Sequence, residues 1–432
     1  MRSDSIKPKP GDYVEVSFVK KDYKGTLLEV PENEKGIILL KLDSGYNIGF
    51  NKKDILDVKV LEKFDGDSDS VPARPKNQSD KPNIAMIITG GTIASRLDPK
   101  TGGVSPLTNP EQLFKFYPGI FDKVNVVKVE VPFMKASEDM DFKDWQKIAR
   151  VAKNLLNDSN IRGIIITHGT DFLHYTSSAL SFFLRDLNKP VVLTYSQRSS
   201  DRASSDANLN LQCSALAAIS DIAEVMLVGH ATGNDDYCFA MPGTKVRKLH
   251  TSRRDAFKVV NGKPFAKIVS DADGPKIEIV SDYKRRNKGK VKTDLKFEEK
   301  IALVKIYPGQ DPDILDYYKK KKYKGIVLEV SGLGHVPAKK ARNSWIQKLK
   351  EVQNKGIIIC AVAQTIHGRL DPLVYSNGRE ILGTGVIYLN DMLAETALVK
   401  LGYVLAKTRD KEEVKKLMLT NIAHELNDRL EE

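Results

Sequence analysis

The chain has 432 residues, 41% of them hydrophobic and 29% charged, which is ordinary for a globular protein of two or three domains. No apolar run reaches the ~18 residues that a membrane helix needs, and the opening MRSDSIKPKPGDY lacks a signal-peptide core, so we expect no membrane contact and a cytoplasmic location. The formal charge of +12 suits a polyanionic partner without requiring one, and three scattered cysteines exclude a disulfide framework or a zinc site.

The first part of the chain consists of short apolar runs broken by Gly, Pro, Asn and Asp. The predicted strands cover residues 13–18, 25–30 and 36–42. This spacing predicts a small antiparallel β-barrel domain over residues 1–68, and two roles stay open for it: a docking or RNA-binding module, or a structural addition. The polar, proline-rich residues 69–82 that follow are a predicted linker.

Beyond the linker, apolar runs alternate with segments of helical spacing. The runs at 84–88, 161–166, 191–193 and 225–228 are typical of buried parallel strands, and residues 142–156 and 177–187 are predicted helices. This alternation predicts a doubly wound α/β domain over residues 83–285.

A basic, apolar-poor stretch near 281–292 precedes a second predicted α/β domain over residues 286–432. Its predicted strands are 301–304, 325–330 and 356–362, and an amphipathic helix is expected over 411–430. The lysine- and arginine-rich clusters at 284–290 and 319–322 carry no base-specific motif, so we interpret both as solvated basic faces.

Two short polar turns follow predicted strands, where ligands bind in an open α/β sheet. The first is TGGTIAS, residues 89–95, whose two glycines permit a tight turn and close approach of a substrate. It lacks the GxGxxG pattern and the lysine of a phosphate-binding loop, which argues against a nucleotide site. The second is THGTD, residues 167–171, which places a hydroxyl beside a carboxylate.

A threonine hydroxyl needs a base before it can attack an amide. His168 lies in the second turn, but the seven histidines form no evident triad with a serine. A lysine in a desolvated position beside an aspartate and a threonine could serve instead, although the residue pattern does not select one.

The motifs GGTIAS and HGTD, with 78 residues between Thr92 and Thr170, resemble the two signatures of the bacterial-type L-asparaginase family. The segments ASEDM (136–140) and VRKLHT (246–251) resemble that family's substrate loop and catalytic-lysine segment. The resemblance implies two asparaginase-like α/β domains in which Thr92 is the nucleophile. The other implied site residues are the triad Thr170, Asp171 and Lys248, the substrate-binding Ser137 and Glu138, and the turn glycines Gly91 and Gly169.

The sequence departs from the asparaginase pattern in three ways. Glu138 stands where the family has glutamine, and the lid segment 96–105 contains no tyrosine. Without that tyrosine, Thr170 stays open as the first attacker. In addition, about 80 residues precede the first catalytic strand, whereas asparaginases begin near it.

A small β-domain and a linker before an asparaginase unit resemble the D-type subunit family of archaeal glutamyl-tRNA(Gln) amidotransferases. SQRSSD (196–201) and TIHGRLDP (365–372) also resemble that group. The resemblance implies an archaeal cytoplasmic glutaminase that converts glutamine to glutamate and ammonia. It implies a heterotetramer of two D-type and two E-type subunits, in which the E-type subunit uses ATP, Mg and the ammonia to amidate Glu-tRNA(Gln). It implies no cofactor or metal in this chain.

Two other functions stay open at this point. One is a free-standing L-asparaginase, which would hydrolyse asparagine without a partner. The other is a tRNA- or protein-binding scaffold with a decayed site.

Overall fold

The computed structural model describes residues 7–30, 36–42, 47–64, 78–97, 101, 104–106, 118–199, 205–271 and 274–429. Most of the predicted linker, and residues 98–100 and 102–103 of the predicted lid, lie outside these residues. Among the described residues, no helix is both long and apolar enough to cross a membrane.

The N-terminal part is a five-stranded antiparallel sheet in the order β4-β3-β2-β1-β5. Its strands are β1 (Tyr13–Ser17), β2 (Asp22–Leu28), β3 (Ile37–Lys41), β4 (Asn47–Asn51) and β5 (Asp57–Glu62). Alternate residues of β1, Val14 and Val16, are fully buried and pack with Leu27 and Leu40. The predicted antiparallel fold is confirmed. Strands β4 and β5 were not predicted, because they contain no buried residue and so no apolar run marks them.

The central part contains a mixed eight-stranded sheet in the order β18-β17-β14-β13-β12-β10-β6-β9. The strands of this part are β6 (Asn83–Ile88), β7 (Ser95–Leu97), β8 (Val104–Pro106), β9 (Asn125–Glu130), β10 (Ile164–Thr167), β11 (Leu184–Arg185), β12 (Val191–Thr194), β13 (Val225–His230), β14 (Cys238–Pro242), β15 (Val246–Lys248), β16 (Phe257–Val259), β17 (Ala266–Asp271) and β18 (Gly274–Ile279). The predicted strands β6, β10, β12 and β13 form a parallel ladder, as expected, and β9, which was not predicted, extends it in parallel beside β6. An antiparallel extension, β14-β17-β18, was not predicted.

Helices cover both faces of this sheet, which confirms the doubly wound architecture. They are α1 (Phe142–Leu156), α2 (Leu173–Phe183) and α3 (Ala207–Ile219). Helices α1 and α2 share one core with alternate residues of the parallel strands, and α3 fills the core on the opposite face. Helix α2 begins four residues before the predicted start, and it ends where Leu184 and Arg185 pair with β19 (Lys292–Thr293).

The C-terminal part is a four-stranded parallel sheet in the order β20-β21-β22-β23. Its elements are β20 (Ile301–Lys305), β21 (Gly325–Val330), β22 (Ile358–Ala363), β23 (Ile387–Tyr388), α4 (Ile314–Lys320), α5 (Ile346–Asn354), α6 (Ser376–Leu382), α7 (Ala394–Leu405) and α8 (Lys411–Leu419). Helix α7 packs against α2, so one apolar core joins the two sheets.

The last predicted helix was drawn too long. Helix α8 stops at Leu419, and residues 421–429 are irregular. The Glu425 carboxylate accepts hydrogen bonds from the backbone N–H of Ile422 and Ala423 and pairs with buried Lys400 at 2.5 Å. These contacts give the backbone N–H groups of Ile422 and Ala423 a hydrogen-bond acceptor without a helix. The helical spacing of the apolar residues in this segment therefore led to a wrong prediction.

The interpretation of 284–290 as a wholly solvated basic face was also wrong in one respect. Arg286 donates to the backbone carbonyls of Arg162, Ala218 and Ser220, of which the last two end helix α3. Burial lowers the pKa of Arg286 to about 10. Its guanidinium therefore caps a helix and its dipole instead of facing solvent.

Candidate active site

The first glycine turn lies at the carboxyl end of β6. Gly90 and Gly91 have φ of 119° and 84°, which favour glycine, and a 3-10 turn over Thr92–Ala94 follows. The Ser95 hydroxyl donates to the Gly91 carbonyl at 2.8 Å and closes the turn. The Ala94 N–H donates to the same carbonyl at 3.0 Å, and the two hydrogen bonds fix the backbone on both sides of Thr92.

The second turn lies at the carboxyl end of β10, the parallel neighbour of β6. The backbone N–H and hydroxyl of Thr89 both donate to the Thr167 carbonyl, at 3.2 and 2.8 Å. A Cβ on Gly91 would lie 2.5 Å from Gly169 Cα and 2.7 Å from the His168 carbonyl carbon, so the two turns are in contact through backbone atoms. Thr92 and Thr170 consequently face one space.

A third turn, the 3-10 turn over Ser137–Asp139, completes the site. The Lys135 N–H donates to the Thr89 carbonyl at 2.9 Å and ties this segment to the first turn. The Ser137 hydroxyl accepts the Phe172 N–H at 3.3 Å and is thereby tied to the second turn. Three segments that are distant in sequence thus converge.

The three turns enclose a cavity of about 340 Å³. It is lined by Gly90, Gly91, Thr92, Ser95, Met134, Lys135, Ala136, Ser137, Glu138, Gly169, Thr170 and Asp171. Seven of the eight residues predicted for the site line this cavity, and the eighth, Lys248, contacts two of them.

Lys248 reaches the cavity from the end of β15. Its Nζ donates to Thr170 Oγ1 at 2.8 Å and to Asp171 Oδ1 at 2.7 Å. The lysine side chain is 11% exposed, whereas that of Asp171 is 58% exposed and borders solvent. The ammonium is therefore held by one hydroxyl and one carboxylate, an arrangement that can move a proton to or from Thr170.

His168 is no alternative base. It is fully buried, and its Nδ1 donates to the Gly169 carbonyl at 2.7 Å, so Nε2 accepts from the Thr176 hydroxyl at 2.9 Å. Burial lowers the pKa of His168 to about 4. The neutral imidazole links the second turn to Thr176 of helix α2 through these two hydrogen bonds.

Comparison with known proteins places these features in a family. A model of the asparaginase N-terminal domain matches residues 83–281, one of the glutaminase/asparaginase C-terminal domain matches residues 300–418, and one of the GatD N-terminal domain matches residues 8–61. The D-type subunit of the glutamyl-tRNA(Gln) amidotransferase of Pyrococcus furiosus is 46% identical over 423 residues, which cover 96% of this chain and 94% of that protein. The chain belongs to the D-type subunit family of glutamyl-tRNA(Gln) amidotransferases.

Other relatives in the D-type subunit family and solved asparaginases agree with this assignment. The D-type subunit of Methanopyrus kandleri is 41% identical over 410 residues, or 92% of this chain and 87% of that protein. The L-asparaginase of Thermococcus kodakarensis has a TM-score of 0.70 at 28% identity and covers 80% of this chain and 100% of its own. L-asparaginase I of Vibrio cholerae has a TM-score of 0.67 at 28% identity and covers 80% of this chain and 99% of its own. The asparaginase-like fold predicted from the motifs is therefore confirmed.

Five residues that line the cavity were not predicted as site residues, and two of them, Ser95 and Lys135, make polar contacts that organise it. Ser95 ends the GGTIAS motif, and its spacing of four residues from Gly91 was the available signal for the turn-closing bond. Lys135 precedes the substrate loop, and its Nζ lies 2.8 Å from Asp144, whose hydrogen bond raises the pKa of Lys135. No sequence signal distinguishes Lys135 from the many surface lysines.

Substituting Gly91 by alanine is expected to lower kcat by at least about 100-fold, comparable to losing an oxyanion donor. An alanine at positive φ is strained, and its Cβ would overlap the Gly169 backbone, so the two turns must separate. Ammonia release and thermal melting are the measurements. Gly233→Ala is the matched control, because nothing lies within 4 Å of its added Cβ. Full turnover in the Gly91 variant would contradict contact between the turns.

Proposed function

We propose that this chain is the glutaminase subunit of a tRNA-dependent amidotransferase. It hydrolyses the side-chain amide of glutamine, and an E-type partner subunit uses the ammonia to convert Glu-tRNA(Gln) to Gln-tRNA(Gln). The observation that carries the proposal is the Lys248 ammonium, bonded to Thr170 and Asp171 beside the Thr92 turn. An amidohydrolase needs such a proton-transfer group next to a hydroxyl nucleophile.

The reaction follows two steps of acyl transfer. The Thr92 hydroxyl attacks the amide carbon, and its proton passes through the Thr170–Lys248 pair to the leaving nitrogen. The C–N bond then breaks, so that ammonia departs and a threonyl ester remains. Water then attacks that ester, returns a proton to the threonine and releases glutamate. The Asp171 carboxylate holds the ammonium of Lys248 in place throughout both steps.

The backbone of the two turns supplies the oxyanion donors in this proposal. Among the hydrogen bonds between described residues, none uses the N–H of Gly91 or Gly169 as a donor. Both glycines line the cavity. An unused N–H directed at a developing negative charge stabilises the tetrahedral intermediate by about 2.7–4 kcal/mol.

Polar groups opposite the threonines suit the amino-acid end of glutamine. We assign the α-carboxylate to Ser137 and the α-ammonium to Glu138 and Asp171, because two carboxylates attract a cation. Glu138 lines the cavity at the position where asparaginases have a neutral glutamine. It therefore adds a negative charge to the ammonium subsite.

Family membership supports the proposed partners. Relatives that match more than nine tenths of the chain are named as one subunit of an amidotransferase, which supports a complex with further subunits. We propose a heterotetramer of two D-type and two E-type subunits in the cytoplasm, with ATP, Mg and the tRNA-bound substrate handled by the E-type subunit. This chain needs no cofactor of its own for the hydrolysis.

A free L-asparaginase is the second candidate, favoured by the two solved asparaginases that match 80% of the chain. The assay measures ammonia release from glutamine and from asparagine, before and after adding the E-type subunit and Glu-tRNA(Gln). Glutamine hydrolysis that rises with the added components supports the proposal. Strong asparagine hydrolysis by the chain alone would assign it to the asparaginases instead.

A further inference from the structure

The segment that leads into Lys248 is anchored to the C-terminal part of the chain. The Thr244 carbonyl accepts a hydrogen bond from the Thr396 hydroxyl at 2.8 Å, and Lys245 Nζ donates to Asp391 Oδ2 at 2.6 Å. Neither Lys245 nor Asp391 is more than 2% exposed. Strand β15 pairs with β16 of the central part, and the residues that lead directly into it are tied to the C-terminal part.

The contact nearest to Lys248 is an ion pair between its neighbour Arg247 and Glu395. Arg247 Nε lies 3.1 Å from Glu395 Oε1, and the side chains are 27% and 9% exposed. Glu395 lies in the first turn of α7, where desolvation raises the pKa of its carboxyl and the Arg247 charge opposes that change. The pair thus joins α7 to the strand that carries the proposed catalytic lysine.

Among the described residues near Glu395, Arg247 supplies the positive charge that balances its carboxylate. His174 Nε2 lies 3.8 Å from Glu395 Oε1, but burial lowers the pKa of His174 to about 3, so its imidazole is neutral. The negative charge of Glu329 on β21 also raises the pKa of the Glu395 carboxyl. Among the described residues, Glu395 Oε2 and His174 Nδ1 have no hydrogen-bond partner.

The same cluster reaches the second glycine turn. His174 lies in the first turn of α2, three residues after Asp171, and its ring packs against Phe257 of β16, which pairs with Lys248. Glu395 therefore contacts Arg247, the neighbour of Lys248, and also His174, which lies close in sequence to Thr170.

We propose that Arg247 and Glu395 are positioning residues for the glutaminase reaction. Their ion pair fixes the end of β15, so that Lys248 Nζ stays within hydrogen-bond distance of both Thr170 and Asp171. A lysine side chain has four rotatable bonds, and its own two hydrogen bonds hold only the tip. A displacement of about 1 Å at a reacting group can cost up to 100-fold in rate. This inference rests on the proposed glutaminase function.

The test is a double-mutant cycle with Glu395→Gln, Arg247→Met and the double variant, each made in the full chain and assayed with the E-type subunit. We expect each single variant to lower kcat for glutamine at least about 10-fold. KM should change less than about threefold, because Ser137 and Glu138 lie in another segment. The double variant is expected to be no slower than the slower single variant, since both changes break one interaction.

Glu224→Gln is the matched control. Glu224 is equally buried and lies 2.9 Å from His424, but it precedes β13, at the end of the sheet opposite the cavity. Its kcat is expected to stay within about twofold of the unmodified chain, with melting recorded for every variant. Arg247 is partly exposed, so Arg247→Met tests the proposal even where Glu395→Gln does not fold.

Three outcomes would overturn the proposal: unchanged kcat in a folded Glu395 or Arg247 variant, multiplicative losses in the double variant, or an equal loss in the Glu224 control. An unmodified chain that releases no ammonia from glutamine would instead refute the proposed function. The two failures are therefore distinguishable.

Discussion

Replacing Lys248 by methionine is expected to lower kcat for glutamine hydrolysis by about 10²- to 10⁴-fold, the usual contribution of a positioned proton-transfer group. Methionine keeps most of the side-chain volume but removes the ammonium that lies 2.8 Å from Thr170 Oγ1. Asp171 is 58% exposed and stays solvated when its partner is lost, so the variant should fold. Steady-state ammonia release and thermal melting are the two measurements.

Lys258→Met provides the matched control for this change. Lys258 lies on β16 directly opposite Arg247, and its Nζ pairs with Asp255 at 2.8 Å, outside the cavity. The control removes the same kind of charge from the same strand pair and should keep its turnover within about twofold. A fully active Lys248 variant would show that Thr170 and Lys248 do not transfer the proton.

Thr92→Val is expected to abolish turnover, with a loss of at least about 10³-fold, because valine has no hydroxyl with which to form the acyl-enzyme. The side chain keeps its shape, so the 3-10 turn over Thr92–Ala94 should persist. Thr170→Val is the parallel variant, since it removes the acceptor of the Lys248 hydrogen bond and leaves Thr92 in place.

Covalent labelling separates the roles of the two threonines. An electrophilic glutamine analogue such as 6-diazo-5-oxo-norleucine is added to each variant, and the labelled peptide is mapped by mass spectrometry. We expect the label on Thr92 in the unmodified chain, slow labelling of Thr92 in the Thr170 variant and none in the Thr92 variant. A label on Thr170 in the unmodified chain would make Thr170 the first attacker.

The position of the candidate site could be predicted because the ends of buried strands can be recognised in the sequence. Buried apolar runs predicted β6 and β10, and parallel neighbours must bring their carboxyl ends, with Thr92 and Thr170, to one edge. Lys248 was different, since its contact with Thr170 spans 78 residues of sequence and nothing in its local pattern marks it. Only the resemblance to asparaginases selected it, and the structure now brings these side chains together.

The errors came from interactions that link distant parts of the chain. Residues 420–430 have helical spacing of apolar residues, yet the described part of that segment, up to residue 429, is irregular and is held by the buried Lys400–Glu425 pair. Arg286 belongs to a basic run but donates to carbonyls at the end of α3. The Arg247–Glu395 pair likewise joins residues that are far apart in sequence. A local pattern cannot reveal such partners, because each depends on how the sheets pack.

We propose above all that the Thr92–Lys248 site supplies ammonia for tRNA amidation. It is tested by amide transfer in the complete complex with the E-type subunit, comparing Lys248→Met with the unmodified chain. Formation of Gln-tRNA(Gln) from Glu-tRNA(Gln) and ATP is followed with glutamine or with ammonium chloride as nitrogen source. We expect the Lys248→Met complex to fail with glutamine and to reach the unmodified rate with ammonium. Equal rates with glutamine in both complexes would contradict the account.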